Sequence, residues 1–96
     1  MKDNLNKAFR ELRKAGYFAR QNFWCCQSCG WSAVPEEKAH KVVFYHNQDM
    51  RRLQDRGSCH LCWAGNGKEI CDILISNGVK VTWNGKDEER IEITLR

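Results

Sequence analysis

Proline is nearly missing from this chain: among 96 residues there is one, Pro35. No Pro- or Ser-rich stretch marks a linker, and the length suits one domain, residues 1–96, rather than two. Also lacking is any apolar run near the ~20 residues that a membrane-spanning helix needs. There is no internal repeat, no P-loop, no G-x-G-x-x-G and no Ser-His-Asp order. The sequence therefore carries neither a phosphate-cradling fingerprint nor a hydrolase triad. Met1-Lys2-Asp3-Asn4 opens into a charged helix and not into an apolar leader, so the expectation is a cytoplasmic chain with no membrane partner. In that compartment cysteines stay reduced.

What is present is globular in balance, with 42% hydrophobic and 29% charged residues. The length exceeds the ~70–80 residues below which small folds usually need staples. Net charge is +4, and residues 1–20, with six Lys or Arg against two acids, carry all of it. Such a local excess points to weak nucleic-acid binding at most.

The elements can be read from periodicity. Leu5, Ala8, Phe9, Leu12 and Ala15 make one face of a first helix, capped by Asp3 or Asn4 and stopped at Gly16. Lys7, Arg10 and Lys14 lie on another face, as candidate phosphate or partner contacts. Tyr17–Trp24 reads as a strand, Trp31–Ala39 as a short helix, and Lys41–His46 as a strand buried on both faces. Asn47 or Asp49 caps a helix that ends at Gly57, and Ser58–Ala64 is a strand. Asn66 and Glu69 form a capping-box pattern ahead of a helix through Ile75. Val79–Trp83 and Arg90–Leu95 alternate as a hairpin. The expected fold is α+β (or α/β), with helices on one mixed sheet of about five strands.

Cysteine carries the chemistry. Three of the six fall within Cys25-Cys26-Gln27-Ser28-Cys29, followed by Gly30 and flanked by Trp24 and Trp31. Cys26-x-x-Cys29-Gly30 has zinc-knuckle spacing, and Cys59-x-x-Cys62 can supply two further ligands of a tetrahedral site. Against convergence, residues three apart on a regular strand face opposite ways. The same C-x-x-C at a helix start would also suit a thiol redox pair. Cys71 reads as buried packing. His46, with Gln48 and Asp49 close behind, reads as a second candidate site, and His40 and His60 as weaker ones.

Gln21-Asn22-Phe23-Trp24-Cys25-Cys26-Gln27-Ser28-Cys29-Gly30 resembles the central N-F-x-C-C-x-x-C-G motif of a bacterial family of unknown function. Val43-Phe44-Tyr45-His46-Asn47-Gln48-Asp49 resembles its next block, an aromatic strand ending in H-x-Q-D. Leu74–Ile93 is similar to its carboxy-terminal part, and the likeness runs from about Leu12 onward. No activity comes with it. It implies a common site of Cys25, Cys26, Cys29, His46, Gln48 and Asp49. The chain departs from the family pattern at Cys59-His60-Leu61-Cys62, where the family has an aromatic and aliphatic strand.

Together these features read as a small protein-binding module, not an enzyme, with a structural cysteine cluster holding zinc. Its partner is expected to be another protein. One alternative is a thiol redox protein using Cys26 and Cys29. Another is a weak nucleic-acid-binding accessory protein, using the basic helix with Trp31 for stacking, or a mobile-element-encoded inhibitor.

Overall fold

The computed structural model describes residues 2–95. The elements run α1 (Lys2–Lys14), β1 (Phe18–Arg20), α2 (Gln27–Ala33), a 3-10 turn (Glu36–Lys38), β2 (Val42–Phe44), α3 (Asn47–Arg56), β3 (Ser58–Ala64), α4 (Gly67–Ser76), β4 (Lys80–Thr82) and β5 (Ile91–Thr94). The strands form one mixed sheet in the order β1-β2-β3-β5-β4. Only β1 and β2 are parallel, Phe18 standing opposite Val42, and α2 is the crossover that parallel neighbours require.

Alternation along the strands builds a core on each side of the sheet. On one side Ala19, Val43, Leu61, Ile91 and Ile93 meet Leu5, Phe9 and Leu12 of α1 and Ile70 and Leu74 of α4. On the other side Val42, Phe44 and Cys62 lie under Trp31 and Val34 of the α2 segment, with Phe18 and Phe23 beside them. The hairpin forms as read, with Val81 opposite Ile93. No helix among the described residues is long and apolar enough to cross a membrane.

Four expectations need correction. The cap of α3 is His46, and Asn47 and Asp49 lie inside the helix, Asp49 as the third residue whose side chain reaches back to the cap. The helix α1 already includes Asp3 and Asn4, so neither caps it; Asp3 instead places a negative charge in the first turn, where the helix dipole favours it. The first strand stops at Arg20, because Asn22 (φ 52°) and Trp24 (φ 64°) adopt left-handed backbone that no strand continues through. The helix expected over Trp31–Ala39 begins at Gln27 and ends at Ala33, so the cysteines stand at its start. Pro35, whose ring cannot continue a helix, separates it from the 3-10 turn.

Candidate metal centre

Residues 21–26 connect the end of β1 to α2. The parallel pairing lays this loop alongside the residues that follow β2. The Phe23 amide donates to the Tyr45 carbonyl at 2.8 Å, and the Asn47 amide to the Trp24 carbonyl at 2.9 Å. Asn47 Nδ2 also donates to Asn22 Oδ1 at 3.2 Å. The two sequence blocks that carry the family likeness are thus joined by backbone bonds. Within the loop Phe23 turns inward, its ring 5.6 Å from both Phe18 and Phe44. Trp24 turns outward and is 57% exposed. Holding a tryptophan in left-handed backbone costs about 1–2 kcal/mol, which the hydrogen bonds on either side of it offset.

Cys26 is the N-cap of α2, in extended backbone. Cys25 precedes it, with its sulfur 3.9 Å from that of Cys26. Cys29 lies in the first turn of the helix. Cys25 and Cys29 are exposed and Cys26 half-buried. All three sulfurs lie within 4.8 Å of one another, close enough to hold a metal ion. Among the described residues no other group of three His, Cys, Asp or Glu side chains meets that distance. The thiols do not share protons equally. The Cys29 amide lowers the Cys26 pKa, helped by the Cys29 and Cys25 thiols. Cys29, donating toward Cys26, is pushed up to about 11. Cys26 therefore ionises before Cys29.

Gly30 does not shape the sulfur turn, as zinc-knuckle spacing suggests. It faces the sheet inside α2, where an added Cβ would stand 2.5 Å from Phe44 Cε2. The missing side chain is what lets the short helix sit on β2. Gly30→Ala is expected to destabilise the protein by about 1–3 kcal/mol through overpacking, even though alanine gains up to ~1 kcal/mol in helix propensity. Chemical denaturation checks this, and an unchanged or raised midpoint would show that Phe44 yields freely.

Cys59 and Cys62 take no part in this group. They are buried in β3 on opposite faces, Cys59 in the first core and Cys62 in the second. Burial pushes their thiols up to about 12 and about 11. A four-sulfur site of Cys26, Cys29, Cys59 and Cys62 is not assembled, for the reason strand alternation gives.

His46 and Asp49 form a separate site. His46 caps α3 and is buried, with Nε2 3.1 Å from Asp49 Oδ2. Asp49 is fully buried, with Arg52 Nη1 2.7 Å from Oδ1 and Arg90 Nη2 3.3 Å from Oδ2. Arg90 also donates to the His60 carbonyl at 2.5 Å, tying α3 to β3. Gln48 is exposed on α3. Of the six residues of the implied common site, three thus form the thiol cluster, His46 and Asp49 join a buried network with Arg52 and Arg90, and Gln48 falls in neither. Burial lowers the His46 pKa, Arg90 and Arg52 act in the same direction, and Asp49 opposes them. A histidine whose folded pKa lies below its unfolded 6.5 favours unfolding when it is protonated. Its contribution is intact above pH 6.5 and is lost as pH falls toward the folded value. A melting temperature falling below pH 6.5, and falling less in His46→Gln, is the expected result; a flat profile would contradict it.

Lys7, Arg10 and Lys14 are exposed along α1. Trp31 packs edge-on against Phe44, ring centres 5.2 Å apart, so the ring that faces solvent is Trp24. Sequence reasoning passed over Trp24 as a strand residue. It also missed Arg52 and Arg90, the second of which lies 41 residues from its carboxylate.

A family description matches residues 1–96, and it is that of a domain of unknown function. Neither a curated protein nor a solved structure matches the chain.

Proposed function

The chain belongs to the DUF6891 family, a domain of unknown function, and on that premise we propose that it is a small binding module whose Cys25, Cys26 and Cys29 hold a thiophilic metal ion at the surface. The observation that carries this reading is the mutual approach of the three sulfurs within 4.8 Å. Ligands of one ion at ~2.3 Å each, the distance found for zinc, stand at most ~4.6 Å apart, so sulfurs within 4.8 Å of one another need little or no movement to share one.

The ion would not act as a staple for the fold. All its ligands come from residues 25–29, so it would close a loop of a few residues and tie no distant segments together. A surface ion beside an exposed tryptophan suits recognition instead, and the partner class we retain is another protein, met at Trp24 and the shallow apolar groove beside Cys29. Zinc is the ion first suggested by the C-x-x-C spacing. The expected result is about one ion per chain in elemental analysis of the reduced protein, with stoichiometry lost in Cys26→Ser and Cys29→Ser and kept in Cys59→Ser and Cys62→Ser. Chelation should shift melting by a few degrees without unfolding the chain. An absent ion, or one that survives both surface substitutions, would overturn the proposal.

One observation favours a second reading. Cys26 caps a helix and Cys29 lies one turn on, the arrangement of an attacking and a resolving thiol. With a disulfide-bearing protein as oxidant, the Cys26 thiolate attacks one sulfur and releases the other as a thiolate. Cys29 then loses its proton and attacks Cys26, freeing the partner as a dithiol and leaving a Cys26–Cys29 disulfide. Fast alkylation of Cys26 in metal-free protein, with a mixed disulfide trapped in Cys29→Ser, would support this. Slow alkylation and no trapped species would dismiss it.

A further inference from the structure

The cluster offers three sulfurs, and that number restricts the ion. Zinc in protein sites is almost always four-coordinate, so with three ligands it must recruit water or a partner's side chain. No fourth ligand stands ready here. Among the described residues, no additional His, Cys, Asp or Glu shares the 4.8 Å group. His46 directs Nε2 at Asp49, and Cys59 and Cys62 lie within the sheet cores. The groove opening on Cys29 is walled by Trp24, Ser28, Ser32 and Ala33, which bring two hydroxyls and no imidazole, thiol or carboxylate.

The spacing of the Cys25 and Cys26 sulfurs suits a trigonal ion as well as a tetrahedral one. At a metal–sulfur bond of ~2.3 Å, sulfurs stand ~4.0 Å apart around a trigonal ion and ~3.8 Å apart at the corners of a tetrahedron. The Cys25 and Cys26 sulfurs are 3.9 Å apart. The distance in this pair therefore permits both, and the ligand count decides. Cu(I) is a soft ion that thiolates select and that is complete with three of them. Resting on the metal reading above, we infer that the Cys25–Cys26–Cys29 site takes a three-coordinate soft cation, Cu(I), in preference to zinc.

Cys25 has a definite role in this scheme. A C-x-x-C pair alone offers two sulfurs, and the adjacent third completes the trigonal set. Each thiol that ligates passes its proton to solvent, with no change of oxidation state at sulfur or copper.

The test uses the full reduced chain without oxygen. It is titrated with Cu(I) against a chromophoric Cu(I) chelator, and separately with Zn(II). X-ray absorption on the copper-loaded protein then counts the sulfurs. The expected result is one Cu(I) per chain bound to three sulfurs, unmoved by equimolar Zn(II). Cys25→Ser should weaken Cu(I) binding at least tenfold and reduce the count to two sulfurs. Because Cys25 is exposed, its variant should keep the parent's circular dichroism and melting temperature, which separates lost ligation from lost folding. Displacement of Cu(I) by equimolar Zn(II), or two sulfurs in the parent protein, would overturn the inference and leave the metal reading standing. Binding of neither ion would bring down both.

Discussion

Phe44→Ala is expected to destabilise the protein by about 3–5 kcal/mol, a large part of the 5–15 kcal/mol that holds a domain folded. Phe44 is fully buried on β2, and its ring meets Phe23 at 5.6 Å and Trp31 at 5.2 Å. It is also the surface on which Gly30 rests. Truncation leaves a void bounded by two rings that are themselves only half-buried. Those rings can partly collapse into it, which places the expected loss toward the lower end of the range. The effect should not be confined to global stability. The helix α2 holds Cys29 and begins at Cys26, and with its seat gone the three sulfurs lose their common position. Urea denaturation followed by circular dichroism, alongside metal analysis, should show a lower midpoint and loss of the ion together. A loss under 1 kcal/mol with the ion retained would mean that the second core contributes little to placing α2.

The second large effect is expected at Asp49. This carboxylate is fully buried and holds three partners: His46 from its own helix cap, Arg52 one turn on, and Arg90 from the residue just before β5. Breaking a fully buried ion pair by removing one partner costs about 3–5 kcal/mol. Arg52 and Arg90 are 46% and 33% exposed in their side chains, so water recovers part of that, and Asp49→Ala should lose about 2–4 kcal/mol once screening is allowed for. Asp49→Asn keeps the volume and one acceptor and should lose about half as much. A double-mutant cycle with Arg90→Ala isolates the link between α3 and the sheet. The expected coupling is favourable and above 0.5 kcal/mol. Additive losses would show that Arg90 is held by the His60 and Leu61 carbonyls alone.

Much of this architecture is legible wherever one rule governs a segment. Ser58–Ala64 reads as a strand between Gly57 and Gly65 and forms β3 over that span. The stripe Leu5, Ala8, Phe9, Leu12 is buried as its spacing requires. The hairpin pairs as the alternation of Val81 with Ile91 and Ile93 suggests. Legibility fails where two rules compete. Phe18 through Trp24 has the aromatic content of a strand, yet two left-handed residues break it, and neither is a glycine. Gly30 follows a cysteine as a turn glycine would, yet its position answers to a ring 14 residues away. At the site, the closeness of Cys25, Cys26 and Cys29 could be read from spacing alone. Their separation from His46, and the arginines that surround Asp49, depend on contacts between distant segments that leave no local pattern.

The pair of backbone bonds between residues 23–24 and 45–47 has a mechanical consequence. Like two rungs of a ladder, they make the thiol loop and the first turn of α3 move as one body. A ligand that tightens the sulfurs pulls on Asn47 through the Trp24 carbonyl, and the same first turn of that helix carries the buried Asp49. Strain entering at the surface therefore has a short route, two hydrogen bonds wide, to the protein's interior charge.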